Sequence, residues 1–311
     1  MANYYTILTG QPPLTLSDTA TRTPLAQLKE LFTEAASGTD AQAVADFFLK
    51  FDCLNLVRLL KDPENQEIDT RGTLSHEQLD ELIKSEQGLG QGLERVPEFL
   101  KTFPEDYHAK AGDPAYFPED EMLLRYYTYA VGSKDPEVGA WYQFNFDLQN
   151  VMTALVARKN GWKVSDYVKG KGELCDALRN STAADFGLSG VMPFVNDIIS
   201  IAEETDPVKK EKKMDALKWE WLDEHTFFEP FGLTALIAYL ARTEILERWA
   251  LLDPQQGRER FTQIIDDLRG EAQIPDEFKS VGKQVRAKNS AYQKEDDNYQ
   301  TEEGNYSKSE R

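Results

Sequence analysis

The sequence is poor in the residues that build catalytic and metal centres. Its 311 residues include only three histidines and two cysteines. Cys53 and Cys175 are far apart and show no paired spacing, so we expect reduced, structural thiols. His76-Glu77 begins like a metalloprotease helix, but Asp80 stands where the second zinc-binding histidine belongs. We therefore expect no metal and no cofactor.

Other short motifs of enzymes are also missing. The glycine-rich stretch 88–92 follows a predicted helix rather than a strand and has no Lys-Ser or Lys-Thr after it, so we interpret it as a helix end and not a phosphate-binding loop. Asp223-Glu224-His225 precedes an aromatic stretch and is interpreted as a solvated helix cap. No Gly-x-Ser-x-Gly motif is present. These absences argue against an enzyme.

Long apolar runs and basic charge are lacking as well. No segment approaches 18 consecutive apolar residues, which predicts no membrane span. The first residues have no basic region and do not resemble a secretory signal, so we expect a cytoplasmic protein. A net charge of -19 argues against nucleic acid and anionic lipid. It favours a basic protein partner, although an acidic surface can also serve only solubility. The basic run Lys209–Lys213 is either a solvated helix face or a contact for an acidic partner.

Helix signals dominate what remains. Cap and proline signals predict helix starts at Pro24, Pro118, Asp206 and Asp253, and at a capping box formed by residues 75–78. Apolar spacing predicts long helices over residues 44–59, 136–159 and about 230–252. Only residues 4–9 suggest a short extended piece. The fold class is all-α, with a single helical domain over residues 1–276 and a polar, largely disordered tail over residues 277–311.

Three stretches share one degenerate signature: Phe, an acid, two free positions, Asn or Gly, an aliphatic, and another aliphatic four residues later. Successive copies are offset by 95 and 82 residues. Such recurrence suggests one helical unit used three times, over residues of about 20–110, 111–205 and 206–276. In the first two copies the match extends, at an offset of 96, from Leu82, Ser85 and Pro97 to their counterparts at 178, 181 and 193. The signature residues are Phe51, Asp52 and Asn55; Phe146, Asp147 and Asn150; and Phe228, Glu229 and Gly232.

The acids of the signature allow two interpretations. As catalysts they would have to converge, whereas a threefold arrangement would hold them apart. Asp52 and Asn55 are three residues apart and can meet on one face of a helix. We therefore predict that the Phe and aliphatic residues pack inward, while the Asp/Asn pair ties its helix to an adjacent loop.

The same stretches resemble a known family. Residues 146–150 continue to Leu155-Val156-Ala157-Arg158-Lys159-Asn160-Gly161, and a later stretch reads Tyr239-Leu240-Ala241-Arg242-Thr243-Glu244-Ile245-Leu246-Glu247-Arg248. Both are similar to helices of the C subunit of V/A-type rotary ATPases, called d in the eukaryotic enzyme. Residues 3–14 also resemble a bacterial family of uncharacterised proteins encoded among V-type ATPase genes. Gly232 in place of Asn, the chain's start and the polar tail depart from the C-subunit pattern.

The resemblance implies a funnel of three helical units around a pseudo-threefold axis. It implies a non-catalytic subunit that couples the membrane rotor ring to the central shaft, peripheral at the inner face of the cell membrane. Candidate interaction residues are Arg158, Lys159, Tyr239, Glu244 and Arg248. A helical adaptor or assembly factor associated with the ATPase is the alternative, and an enzyme using the acidic side chains is a third.

Overall fold

Helices form all the regular secondary structure in the part of the chain that the computed structural model describes, which is residues 4–18, 21–65, 67–84, 93–114 and 116–251. No strand occurs among these residues, so the predicted all-α class is confirmed. The helices are α1 (Tyr5–Thr9), α2 (Leu25–Ala35), α3 (Gly38–Lys61), α4 (His76–Lys84), α5 (Glu98–Ala109), α6 (Pro118–Ala130), α7 (Pro136–Lys159), α8 (Val164–Tyr167), α9 (Glu173–Asn180), α10 (Val195–Glu203), α11 (Pro207–Thr226) and α12 (Leu233–Leu251).

Several predicted helix starts are confirmed by their caps. The Asp206 carboxylate accepts hydrogen bonds from the backbone N–H groups of Val208 and Lys209 at 2.9 and 3.1 Å, which begins α11. In the capping box, the Ser75 N–H donates to the side chain of Gln78 at 2.9 Å, and the Gln78 N–H donates back to the Ser75 hydroxyl at 3.3 Å. The start predicted at residue 253, the glycine-rich stretch 88–92 and the predicted tail lie outside the described residues.

The first element differs from its prediction. Residues 4–9 were expected to be extended, but Tyr5–Thr9 form the short helix α1. The reason is tertiary: the Tyr4 N–H donates to the carbonyl of Phe231 at 2.9 Å, and the Tyr4 hydroxyl donates to Asp40 at 2.6 Å. These contacts outweigh the β propensity of the aromatic and β-branched side chains.

Two helical units follow one another with a similar order of elements, and the second contains one additional short helix, α8. The 24-residue helix α3 contacts α4, α5 and α6, and the equally long α7 contacts α9, α10 and α11. Leu82 on α4 and Leu178 on α9 are each 1% exposed. Pro97 directly precedes α5, and Pro193 precedes α10 with Phe194 between them. The correspondence between the first two signature copies therefore extends over whole units, whose junction lies between α6 and α7 because α6 packs on α3 and α5.

In the first unit the signature ties α3 to the loop that follows it, as predicted. Asp52 is fully buried, and its carboxylate accepts the N–H of Thr73 at 2.8 and 3.0 Å, the Thr73 hydroxyl at 2.7 Å and the N–H of Leu74 at 2.9 Å. The Asn55 amide donates to the carbonyl of Asp69 at 3.0 Å and accepts its N–H at 2.8 Å. Burial raises the pKa of Asp52, and the hydrogen bonds from the loop oppose that shift.

A lysine from α2 holds the same loop from the other side. The Lys29 ammonium donates to the carbonyls of Thr70, Arg71 and Gly72 at 3.1, 3.3 and 2.6 Å. A Cβ on Gly72 would clash with the Asp52 carboxylate, so only glycine fits this close approach.

The second unit keeps the asparagine tie and loses the acid tie. The side-chain oxygen of Asn150, which is 4% exposed, accepts the N–H of Lys169 at 2.9 Å. Asp147 instead accepts a hydrogen bond from Gln143 on its own helix at 2.7 Å. Burial raises the pKa of Asp147 to about 6. The asparagine is therefore the shared element of the two copies.

The third copy does not match the other two. Phe228 is 89% exposed and lies with Glu229 in the connection between α11 and α12, and Gly232 directly precedes α12. The expectation of a helical stretch with an inward-facing Phe does not hold here. Only the aliphatic positions, Leu233 and Ile237, are buried. Without an asparagine side chain, Gly232 makes a turn, with its N–H bonded to the carbonyl of Glu229 at 3.3 Å.

The residues up to Ala250 form one compact unit with a shared apolar core. Both cysteines are buried and free, and burial raises the pKa of each thiol, which makes them structural thiols. The part of the chain from Leu251 onwards forms a separate compact region, of which only Leu251 belongs to the described residues.

Candidate functional site

A cavity of about 310 Å³ lies where helices from both units meet α12. It is open to solvent, and its walls combine aromatic rings with six charged side chains. The lining residues are Phe47 and Lys50 of α3, Tyr126 and Tyr127 of α6, Trp141, Tyr142 and Asn145 of α7, Glu211, Asp215 and Lys218 of α11, and Ala241, Glu244, Ile245 and Arg248 of α12.

Lys50 connects α3 to α12 across this cavity. It is the one charge in the run Phe47–Phe51, so the helix carries it into an aromatic environment. Its ammonium forms an ion pair with Glu244 and lies 4.1 Å from the centroid of the Phe47 ring. Burial lowers the pKa of Lys50, and the Glu244 carboxylate opposes that shift.

Asp215 connects α11 to the end of α12. It is 1% exposed, and its two oxygens accept hydrogen bonds from the Arg248 guanidinium at 2.6 and 2.5 Å. The indole N–H of Trp249 donates to the same carboxylate at 2.6 Å. Burial raises the pKa of Asp215, while Trp249 and Arg248 act in the opposite direction. Three hydrogen bonds from two side chains of α12 to one buried carboxylate hold the two helices in a single register.

One charged group on the cavity wall has no such close partner. Among the described residues, the Lys218 ammonium forms no hydrogen bond or ion pair; burial lowers its pKa, and the carboxylates of Asp215, Glu244 and Glu211 oppose that shift from a longer distance. Tyr142 is 3% exposed, and its hydroxyl interacts with the hydroxyl of Tyr126. The arrangement thus offers charge and hydrogen-bonding capacity for binding.

The candidate interaction residues do not form one cluster. Glu244 and Arg248 lie together in the cavity. The Tyr239 hydroxyl donates to the carbonyl of Pro12 at 2.9 Å and so anchors the N-terminal segment. Arg158 donates to the carbonyls of residues 181 and 183 and stacks 3.7 Å from the Phe186 ring centroid, so its guanidinium is used internally. Lys159, on α7 as well, is exposed.

The acids of the signature do not converge either. Asp52 is bonded to its loop, Asp147 to its own helix, and Glu229 is exposed. No group of three or more metal-binding side chains occurs in the described ranges. His225 accepts or donates one hydrogen bond at 2.8 Å to the carbonyl of Trp221 and stacks on its ring, which places it in the helix end and not in a ligand set.

Sequence reasoning missed the charges that make this cavity. Lys50, Asp215 and Lys218 belong to no motif. For Lys50 and Lys218 the signal is a single charge flanked by large apolar residues, as in Phe47-Phe48-Leu49-Lys50-Phe51 and Leu217-Lys218-Trp219, whereas Asp215 carries no such signal. Such a position forces a charged group towards the interior, where it needs a partner.

Over the described residues, fold and cavity define an all-helical protein with two similar arrangements of helices and an open, charged cavity. The chain belongs to a family described as Protein of unknown function (DUF2764), which it matches over residues 1–272. No curated protein and no solved structure matches it. None of the described helices is long and apolar enough to cross a membrane.

Proposed function

We propose that this chain is a non-catalytic subunit of a V-type rotary ATPase that couples the membrane rotor ring to the central shaft. The observation that carries the proposal is the duplicated unit, in which a 24-residue signature helix is tied to its following loop by an asparagine. The sequence resemblance to C-subunit helices falls on the second of these helices and on α12. In this proposal the units surround a pseudo-threefold axis as a funnel.

A subunit that passes torque must be stiff, and the ties in this chain fit that requirement. The loop after α3 is held by Asp52, Asn55 and Lys29 at once. The end of α12 is held to α11 through Asp215. Buried, fully bonded polar groups of this kind fix one arrangement of helices, because each alternative would leave a donor or acceptor unpaired.

The acidic surface and the cavity supply two different docking surfaces in this proposal. A net charge of -19 favours association with a basic partner surface. The cavity at the meeting point of α3, α7, α11 and α12 is where an inserted segment would contact both units. We assign the cavity to the shaft and leave the outer surface for the ring, with the protein peripheral at the inner face of the membrane.

A helical adaptor or assembly factor for the same ATPase is the second candidate. The exposed pair Phe227 and Phe228, at 74% and 89%, favours it, because two adjacent exposed rings suit a transient docking contact. A rotor subunit stays in the working complex, whereas an assembly factor leaves it.

Affinity purification of the tagged full-length chain from its native cell distinguishes the two. As a rotor subunit it should co-purify with ring and shaft subunits at one copy per shaft in complexes that hydrolyse ATP. Its removal should leave ATP hydrolysis in place and abolish coupled ion transport. Recovery only with incomplete, inactive complexes would support the assembly factor. Absence of both ring and shaft subunits from the purified material would refute the proposal.

A further inference from the structure

Lys218 lies where two cavities adjoin. The cavity of about 310 Å³ described above and a second one of about 470 Å³ share four wall residues, Tyr127, Asn145, Glu211 and Lys218. Together they form a continuous concave surface along α7 and α11. Their volumes are within the range of small-ligand sites.

The carboxylates around Lys218 form their ion pairs with other cations. Glu244 pairs with Lys50, and Asp215 is held by Arg248, which also reaches Glu211 at 3.2 Å. Lys218 is therefore the cation of this wall that makes no hydrogen bond or ion pair among the described residues, and Asp215, Glu244 and Glu211 stabilise its charge only from a longer distance. A partly desolvated ammonium gains most from a single opposite charge placed against it.

The larger cavity adds an apolar surface beside this cation. Its walls include Leu148, Met152 and Met214, and its edge carries the stacked pair Trp162 and Tyr167 with ring centroids 5.3 Å apart. These two rings are 50% and 40% exposed. Exposed aromatic and methionine side chains next to a free charge are typical of a binding surface.

We propose that the joined cavities bind a carboxylate attached to an apolar group, with the carboxylate paired to the Lys218 ammonium and the apolar group packed on Met152 and Met214. A monoanion is favoured over a phosphate, because one cation is free and three carboxylates in the smaller cavity would repel a dianion. The carboxylate can come from a free organic acid or from an acidic side chain of a protein partner.

A matched pair of probes tests this on the full-length protein. Titration calorimetry with 4-phenylbutyrate and with its neutral amide, 4-phenylbutyramide, at pH 7 should show the acid binding about tenfold more tightly. Lys218→Gln should remove that difference and leave the amide unaffected, whereas Lys218→Arg should keep it. Lys209→Gln changes an exposed lysine on the same helix that lines neither cavity, so it should bind both probes like the unaltered protein.

A second arm identifies the source of the carboxylate. An acetylated, amidated peptide with one Glu between Leu and Phe is compared with its Gln analogue, on the unaltered protein and on Lys218→Gln. A Lys218-dependent preference for the Glu peptide alone assigns the site to a protein partner, and a preference for phenylbutyrate alone assigns it to a free acid. If the unaltered protein shows no preference for acid over neutral analogue in either arm, the proposal is overturned, whatever the variants do. The probes need no ATPase, so failure here leaves the proposed coupling role standing, and success does not establish it.

Discussion

Replacing Asp52 with alanine removes the acceptor of four hydrogen bonds at a position with no solvent exposure. The N–H groups of Thr73 and Leu74 and the Thr73 hydroxyl would lose their acceptor, and the site of the carboxylate would be left as a buried gap. Each donor that stays unpaired costs about 1–3 kcal/mol, and water can satisfy some of them because Thr73 is exposed and Leu74 is half-buried. We therefore expect Asp52→Ala to lower the free energy of unfolding by about 3–5 kcal/mol.

The second unit provides the matched control. Asp147 occupies the same position of the signature but bonds only to Gln143 of its own helix at 2.7 Å. Asp147→Ala leaves no buried backbone donor unpaired and removes a carboxylate whose pKa burial raises, so at pH 7 we expect either a gain in stability or a loss of less than about 1 kcal/mol. Urea unfolding followed by far-ultraviolet circular dichroism at pH 7 measures both variants. Equal losses for the two variants, or a loss below about 1 kcal/mol for Asp52→Ala, would refute the assignment of the acid tie to the first unit alone.

Three further outcomes follow from the same geometry. Gly72→Ala places a Cβ against the Asp52 carboxylate, and we expect a loss of about 1–3 kcal/mol in the same urea assay. Phe51 is 3% exposed, so Phe51→Ala should lower the free energy of unfolding by about 3–5 kcal/mol. Phe228 is 89% exposed, so Phe228→Ala should change it by no more than about 0.5 kcal/mol. Similar losses for the two variants would contradict the different environments of these two copies. Because burial raises the pKa of Asp147 from 3.8 to about 6, the folded state holds this proton more tightly than the unfolded state. That contribution is present below about pH 4 and is lost as the pH rises to 6, so Asp147→Asn should gain stability relative to the unaltered protein between pH 4 and 6, as measured by urea midpoints across that range.

Local chemistry explains which parts of the fold were predictable. The cap at Asp206 and the prolines at 118 and 136 mark helix starts within a few residues, because caps and prolines act on their own backbone. The tie between Asp52 and its loop was predictable for a related reason, since two polar side chains three apart in an apolar helix need buried partners nearby.

The cavity could not be predicted in this way, because its partners are far apart in sequence. Lys50 pairs with Glu244, and Asp215 pairs with Arg248. Periodicity places each of these residues on a face of its own helix but carries no information on which helix that face meets. The resemblance to C-subunit helices pointed to Glu244 and Arg248, which are two of these four paired residues. Nothing in the local sequence indicated their partners, Lys50 and Asp215.

The misplaced third copy has a structural explanation that bears on the proposed threefold. Each unit begins with a long helix, α3 and then α7, and the next long helix after the second unit is α12. The sequence pattern predicted that the long helix of a third unit contains Phe228. In the structure the helix at that point in the order of elements is α12, which begins after Phe228. Side chains of α12 reach α3 through Glu244 and α11 through Arg248, so it joins the first unit to the end of the second. A third unit that starts at α12 would keep the spacing of the first two, because α3, α7 and α12 begin at residues 38, 136 and 233. The threefold proposal therefore depends on α12 and not on Phe228, and Phe228→Ala should leave coupling to the ATPase intact while Glu244→Gln, which breaks the link to Lys50, should weaken it.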